Sequence, residues 1–167
     1  MKLVLPALLF LLFVSLALGE EANGLRLSVQ KTVLDRTKDR AAFVGWDRVE
    51  KALGLKVSAK NVSMKEKASG TIEYAVVVKK YNYSPLTLHK YTGTEPFPAL
   101  KPSAEANLTI GKVPMSGYNA GGNRKEYQDS IEGWQVVVKH EGVETLKITS
   151  TGDFAKLLAR AKDGPKE

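Results

Sequence analysis

The 167-residue chain contains no cysteine. A disulfide framework is therefore excluded, and so are lipid attachment at a cysteine and catalysis by a cysteine nucleophile. A domain built from this sequence must be held together by packing and hydrogen bonds alone. Small exported animal domains commonly use disulfides, so their absence favours a bacterial periplasm, cell surface or medium if the chain is exported.

Histidine is scarce, and the common catalytic motifs are missing. His89 and His140 are the two histidines, too few for a histidine-rich metal site. The sequence has no H-E-x-x-H, no G-x-S-x-G and no P-loop. Ser28 to Lys31 spells S-x-x-K, but it falls inside a predicted strand and lacks the companion S-D-N and K-T-G elements. The sequence therefore predicts a protein that is not an enzyme and that uses no cofactor or metal.

The chain is basic, with a formal net charge of +7 at pH 7. Such an excess can favour anionic partners. Here the lysines are dispersed along the chain, a pattern more typical of solubility and of protection against edge-to-edge strand pairing. We therefore predict no nucleic-acid partner.

The N-terminus has the features of a secretory signal peptide. One lysine precedes an apolar stretch from Leu3 to Leu18, and Ala17 with Gly19 forms an A-x-G cleavage site. The apolar stretch is slightly shorter than the roughly 18 or more residues of a spanning helix. The sequence predicts a signal peptide over 1–19 and one exported domain over 20–167, without a stable membrane span after cleavage. Retention of the segment as an anchor stays an alternative.

Between residues 25 and 150 the hydrophobic pattern alternates with the period of half-buried strands. Residues 43–54 are ambiguous, since Trp46, Val49 and Leu53 also fall at helical spacing. Charged residues predict a loop over 35–40, and prolines predict one over 93–104. Glycine and asparagine predict a third loop over 114–126. The pattern predicts seven strands, over residues 25–33, 55–63, 71–81, 86–92, 106–113, 134–140 and 143–150.

The end of the chain changes period. Phe154, Leu157, Leu158 and Ala161 follow the i, i+3, i+4, i+7 spacing of an amphipathic helix, predicted over 152–163. Its apolar stripe is suited to covering an open end or edge of a β-structure. Short strands without interleaved helices predict an all-β, seven-stranded antiparallel sandwich with a C-terminal helix.

In strand number and spacing, residues 25–150 resemble the immunoglobulin-like and fibronectin type III-like domains of secreted bacterial proteins. The Cys, Trp, Cys spacing of antibody domains is missing, so the resemblance names no specific family and implies no site residue. The expected core comprises the inward-facing residues Leu27, Val29, Leu55, Val57, Ile72, Tyr74, Val76, Leu108, Ile110, Trp134, Val136, Val138, Leu146, Ile148, Leu157 and Leu158.

The stretch from Tyr127 to His140 combines acids, an indole and a histidine. Trp134 shares a predicted strand face with Val136 and Val138 and is expected in the core. Asp129 and Glu132 are expected in a solvated loop beside Arg124 and Lys125.

Two kinds of partner remain open. One is a protein that contacts the sandwich loops, which suits a structural or protein-binding component of the cell envelope or secretome. The other is a glycan that stacks on exposed aromatic rings. The candidate contact residues are Tyr81, Tyr83, Tyr118, Arg124, Tyr127, Asp129 and Glu132.

Overall fold

The computed structural model describes residues 18–40, 46–81, 87–120 and 127–164. Most of the predicted signal peptide, Tyr83 and Arg124 lie outside these residues, and Tyr127 is described by its backbone alone. Within the described residues, no helix is both long enough and apolar enough to cross a membrane.

The described residues form ten strands and one short helix. The strands are β1 (Leu18–Ala22), β2 (Leu25–Arg40), β3 (Trp46–Asn61), β4 (Gly70–Lys80), β5 (Thr87–Phe97), β6 (Glu105–Ala120), β7 (Tyr127–Gln128), β8 (Ser130–His140), β9 (Val143–Thr149) and β10 (Lys162–Asp163). The helix, α1, spans Phe154–Arg160.

The strands form two five-stranded sheets that enclose one core. The first sheet has the order β1-β2-β3-β6-β7, and the second has the order β10-β5-β4-β8-β9. All pairings are antiparallel except that of β10 with β5. The all-β prediction is confirmed. The described strands do not form the seven-strand immunoglobulin arrangement, because that arrangement has four strands in one sheet and three in the other.

Several strands run further than their local composition predicts. β2 continues through the charged residues 35–40, and β6 continues through the Gly- and Asn-containing residues 114–120. Both pair with β3, which begins at Trp46, so the described part of the ambiguous stretch is strand. β8 begins at Ser130 rather than at Trp134. The loop predictions for 35–40 and for the first part, 114–120, of 114–126 were wrong because ladder hydrogen bonds to a neighbouring strand outweigh residue preference. Residues 121–126 lie outside the described residues.

The proline-rich stretch 93–104 is strand as far as Phe97. Pro96 pairs in register with Thr71 of β4, a position that proline can occupy because β5 is an edge strand there. Phe97 and Leu100 are buried in the core. The surface-loop prediction for 93–97 was therefore wrong, and proline marked an edge rather than a loop.

Most of the predicted core is buried. Both sheets contribute to one cluster that includes Leu27, Val57, Ile72, Trp134 and Val138. Four predicted core residues are only partly buried, namely Tyr74, Leu108, Leu157 and Leu158. The expected core omitted several buried residues, namely Leu25, Val49, Val77, Phe97, Leu100, Val113, Met115 and Phe154.

Helix α1 is shorter than predicted and lies in a different place. It ends at Arg160, because Ala161 is extended (φ −85°, ψ 137°) and the next residues form β10. Phe154 is buried with Ala75 and Val77 in a second cluster, separate from the main core. The helix therefore covers the outer face of the second sheet and not an open end or edge of the sandwich.

Candidate binding site

Four of the predicted contact residues lie near one another, namely Tyr81, Tyr118, Tyr127 and Asp129. Tyr81 and Tyr118 are 37% and 39% exposed, and Glu132 is exposed and accepts a hydrogen bond from Ser130 Oγ at 2.6 Å. Tyr118 of β6 pairs in register with Tyr127 of β7. Asp129, by contrast, is 6% exposed. The two acids therefore lie in different environments and do not act as a carboxylate pair.

The Asp129 carboxylate is surrounded by donors from both sheets. Oδ2 accepts from Lys80 Nζ and from Ser116 N, each at 2.8 Å. Ser116 Oγ also donates to Oδ2, at 3.3 Å, and Tyr81 N donates to Oδ1 at 2.8 Å. The prediction of a solvated Asp129 was wrong, because backbone and lysine donors replace the water that a carboxylate needs.

This cluster has a structural character. Lys80 ends β4 in the second sheet, whereas Ser116 lies in β6 of the first sheet. Each carboxylate oxygen already accepts from a donor at 2.8 Å, which fixes the position of the side chain. Within the described ranges, no group of three or more His, Asp or Glu side chains is placed to hold a metal ion.

The largest described cavity lies on the side of the sandwich where the edges of β5 and β6 face each other. We call it the side groove. Its volume is about 500 Å³, within the usual range of ligand sites. It is lined by residues of five strands, including Leu34 of β2, Tyr74 of β4, Tyr91 and Glu95 of β5, Gly111 and Lys112 of β6, and Asp163 of β10.

Tyr74 forms one wall of the side groove because two glycines make room for its ring. Gly93 lies beside the ring in the neighbouring strand, where an added Cβ atom would overlap the phenol. Gly111 lies on the other side, and its Cβ would be 3.0 Å from Tyr74 Cε2. Gly111 also has a positive φ of 69°, a conformation that glycine adopts without strain. Burial, and secondarily the Glu95 carboxylate, raises the pKa of the Tyr74 hydroxyl.

Tyr91 forms a second aromatic wall. Gly164 lies against its ring, and Lys80 Nζ is 5.9 Å from the ring centroid, a cation–π distance. Its hydroxyl is buried and has no hydrogen-bond partner among the described residues. Lys90 and Asp163 form an ion pair of 3.2 Å at the same wall.

The edge of β5 that borders the side groove is mostly unpaired. β10 pairs with it in parallel at His89 and Lys90, and Gly164 N donates to Lys90 O at 2.9 Å. Beyond Lys90, no described strand pairs with this edge. The side groove thus combines a cavity, two tyrosines and unpaired backbone groups.

Sequence reasoning missed the side groove. Tyr74 was expected in the core, and residues 93–104 were expected to be a surface loop. The sequence did contain a signal, because Gly93 lies between two threonines and Gly111 lies inside an alternating strand. Glycine inside a strand often marks a close approach by another group. Gly93 meets Tyr74 through strand register and Gly111 meets it through the packing of the two sheets, and the sequence alone specifies neither.

Two smaller cavities flank the Asp129 cluster. One, of about 310 Å³, is lined by Asp129, Gln128 and Lys51, whose Nζ donates to Gln128 Oε1 at 2.8 Å. The other, of about 360 Å³, includes Lys80, Lys112 and Pro114 and so adjoins the side groove. Both have fewer aromatic residues than the side groove.

No protein-family model matches the chain, and no curated protein matches it. Among solved structures, a crystal structure of a protein from Akkermansia muciniphila is similar to the chain, with a TM-score of 0.37 and 15% sequence identity. The alignment covers 88% of this chain and 84% of that chain.

Proposed function

We propose that the chain is an exported protein, without catalysis of its own, that binds a protein partner of the cell envelope or secretome through the side groove. The observation that carries this proposal is the unpaired edge of β5 beside a cavity of about 500 Å³ with two tyrosine walls. Tyrosine is enriched at protein interfaces because its ring offers a large apolar area and its hydroxyl a polar contact.

The architecture supports the same proposal at a coarse level. Two sheets, antiparallel except where β10 pairs with β5, enclose one core, and in this sandwich architecture alone they resemble the immunoglobulin-like and fibronectin type III-like domains of secreted bacterial proteins. Such scaffolds keep a rigid core and carry recognition at their periphery. The saturated Asp129 cluster suits this role, because it fixes the relative position of the two sheets.

Photo-crosslinking in the producing cells tests the protein-binding proposal. A benzophenone amino acid at Lys112, an exposed position in the side groove, is expected to give a crosslinked product of one discrete mass. The matched control is Lys56, an exposed position on β3 outside the groove. The absence of a product at Lys112, or the same product at both positions, would contradict the proposal.

The export part of the proposal has a separate test. The intact mass of the protein from the producing cells is expected to correspond to a chain that begins at Glu20. Such a chain retains Glu20, Glu21 and Ala22 of β1, which pair with residues 25–27 of β2. A mass that includes Met1 would contradict cleavage and would favour the retained anchor.

A glycan is a second candidate ligand, at a different place. Tyr81 and Tyr118 are partly exposed, and both lie close to the Asp129 cluster, Tyr81 through its own N–H and Tyr118 two residues after Ser116. Exposed rings beside polar groups suit sugar stacking. Isothermal titration against cell-wall and plant polysaccharides tests this, with Tyr118→Ala expected to abolish any heat of binding. No heat above background with any polysaccharide would remove this candidate.

A further inference from the structure

We propose that the free edge of β5 binds an extended strand of the protein partner, parallel to β5 and in line with β10. This inference rests on the proposed protein-binding function and specifies how the partner binds. Strand addition of this kind obtains affinity from backbone hydrogen bonds and specificity from alternate side chains.

The direction follows from β10. Lys162 pairs with His89 and Asp163 with Lys90, in parallel, and Gly164 N donates to Lys90 O at 2.9 Å. The Lys90 carbonyl therefore points to the free edge. Alternate residues of a strand direct their backbone groups to the same edge. The N–H and C=O groups of Thr92 and Thr94 therefore point to this edge too, where no described strand meets them.

Pro96 defines where the available edge ends. Like Lys90, Thr92 and Thr94, it directs its backbone groups to the free edge of β5. Proline has no N–H to donate there, and no hydrogen bond to β4 is lost. A partner strand can therefore pair from about Thr92 to about Pro96, which corresponds to roughly five residues at one residue per pair.

The side groove suits the side chains of such a strand. Thr92 and Thr94 are exposed and line a shallow cavity with Glu73 on the outer face of the second sheet. In a strand that pairs with β5, every second side chain points to the inner face of the second sheet, opposite to the face of Thr92 and Thr94. There they meet Tyr74 and Tyr91, so we infer a partner strand with apolar residues at every second position.

Other strand edges are less suited to this role. The β9 carbonyl of Thr145 already accepts from Asn23 Nδ2 at 2.9 Å. The β6 edge is occupied by Lys80 Nζ at Pro114 O and by Asp129 at Ser116 N. The outer edge of β2 beyond Val29 has no partner among the described strands, but a bulge at Leu34 and its charged residues protect it from pairing.

The first step of the test determines the register. A benzophenone amino acid is placed at Thr92 and, separately, at Thr94 in the producing cells, and the crosslinked peptides are sequenced by mass spectrometry. Both positions are expected to react with one segment of one partner. The Thr94 site should lie about two residues towards the C-terminus of the Thr92 site, because the strands are parallel.

The second step uses that crosslinked segment, synthesised with a fluorescent label, as the probe. Its affinity is measured by fluorescence polarisation for the wild type, Thr94→Pro and Thr94→Ala. Proline removes the edge-facing N–H that β4 does not use, whereas alanine retains it. We expect at least about tenfold weaker binding for Thr94→Pro, equivalent to about 1.4 kcal/mol, and a change below about threefold for Thr94→Ala.

Hydrogen exchange on the wild type gives a readout that does not depend on whether Thr94→Pro folds. The labelled segment should slow amide exchange at Thr92 and Thr94, and leave the control amide of Thr145 in β9 unchanged. Equal affinity of a folded Thr94→Pro variant and Thr94→Ala, or no protection of the two threonine amides, would overturn strand addition.

The crosslinking results also separate the two proposals. A product from Lys112 with none from Thr92 or Thr94, or with sites in reversed order, leaves protein binding standing and overturns the parallel strand. No product from any of the three positions overturns both.

Discussion

Lys80 Nζ lies 2.8 Å from Asp129 Oδ2, and this ion pair connects the end of β4 to the residue that precedes β8, the neighbouring strand of the second sheet. Both side chains are largely buried. Two residues separated by 49 positions therefore provide each other with the charge compensation that burial requires. The same carboxylate holds the backbone of β6 through Ser116 N.

Loss of the Asp129 charge should destabilise the fold. In Asp129→Asn, the Lys80 ammonium stays buried without a carboxylate, and the donors of Ser116 and Tyr81 meet a neutral amide. We expect the free energy of unfolding to fall by about 3 kcal/mol, measured by urea denaturation. The control Glu132→Gln changes an exposed acid three residues further along the chain and should cost less than about 0.5 kcal/mol. A double variant with Lys80→Met should lose less than the sum of the two single variants, and strict additivity would contradict the coupling.

Trp134 should be a major contributor to stability. Its side chain is 4% exposed and lies in the main core with Val136 and Val138. Trp134→Ala should therefore lower the free energy of unfolding by about 3–5 kcal/mol, since a large cavity is left. Val143→Ala, at a residue 68% exposed, is the control and should change stability by less than about 0.5 kcal/mol. A loss below about 1 kcal/mol for Trp134→Ala would show that the indole is not packed.

Asn61 should hold together the two loops at one end of the sandwich. Its fully buried amide donates to Lys65 O and Leu100 O at 2.8 and 2.9 Å, and its Oδ1 accepts from Ser63 N at 2.9 Å. Asn61→Ala leaves these groups without partners, and we expect a loss of about 3 kcal/mol in thermal or urea denaturation. Asn107→Ala, at an exposed asparagine, is the matched control. Equal effects of the two substitutions would contradict this role.

Tyr74 should make stability depend on alkaline pH. Its pKa is raised by burial and by Glu95, so the folded state holds this proton beyond the ordinary tyrosine pKa of about 10. The contribution of the protonated Tyr74 hydroxyl to the free energy of unfolding is fully present below about pH 10. It is lost as the pH rises through the folded-state pKa. Tyr74→Phe should therefore reduce the fall in unfolding free energy above about pH 10. The absorbance difference at 295 nm between wild type and variant isolates this titration, and a midpoint at or below about 10 would contradict it.

The strand boundaries show how far local patterns predict this fold. Alternation located part of each of β2, β3, β4, β5, β6, β8 and β9, because one face of these parts is more buried than the other. Composition placed loops over 35–40 and 114–120, where the structure has β2 and β6 paired with β3. Those residues are strand because of a distant partner, and a partner is not visible in a local window.

The candidate site illustrates the same limit. Asp129 had the residue type and neighbours of a solvated acid, but its donors come from Lys80, Tyr81 and Ser116. The side groove depends on Tyr74 meeting Gly93 and Gly111, residues of two other strands. Neither arrangement follows from the spacing of residues along one strand.

The sequence by itself determined the all-β class, a C-terminal helix, the exclusion of disulfides and the burial of residues such as Trp134. These properties depend on period, composition and residue type, which are local. Only the tertiary structure decided the number and extent of the strands, the burial of Asp129 and the position of the side groove. The physical reason is that strand register and charge compensation are relations between distant residues, and a one-residue change of register would turn each side chain to the other face.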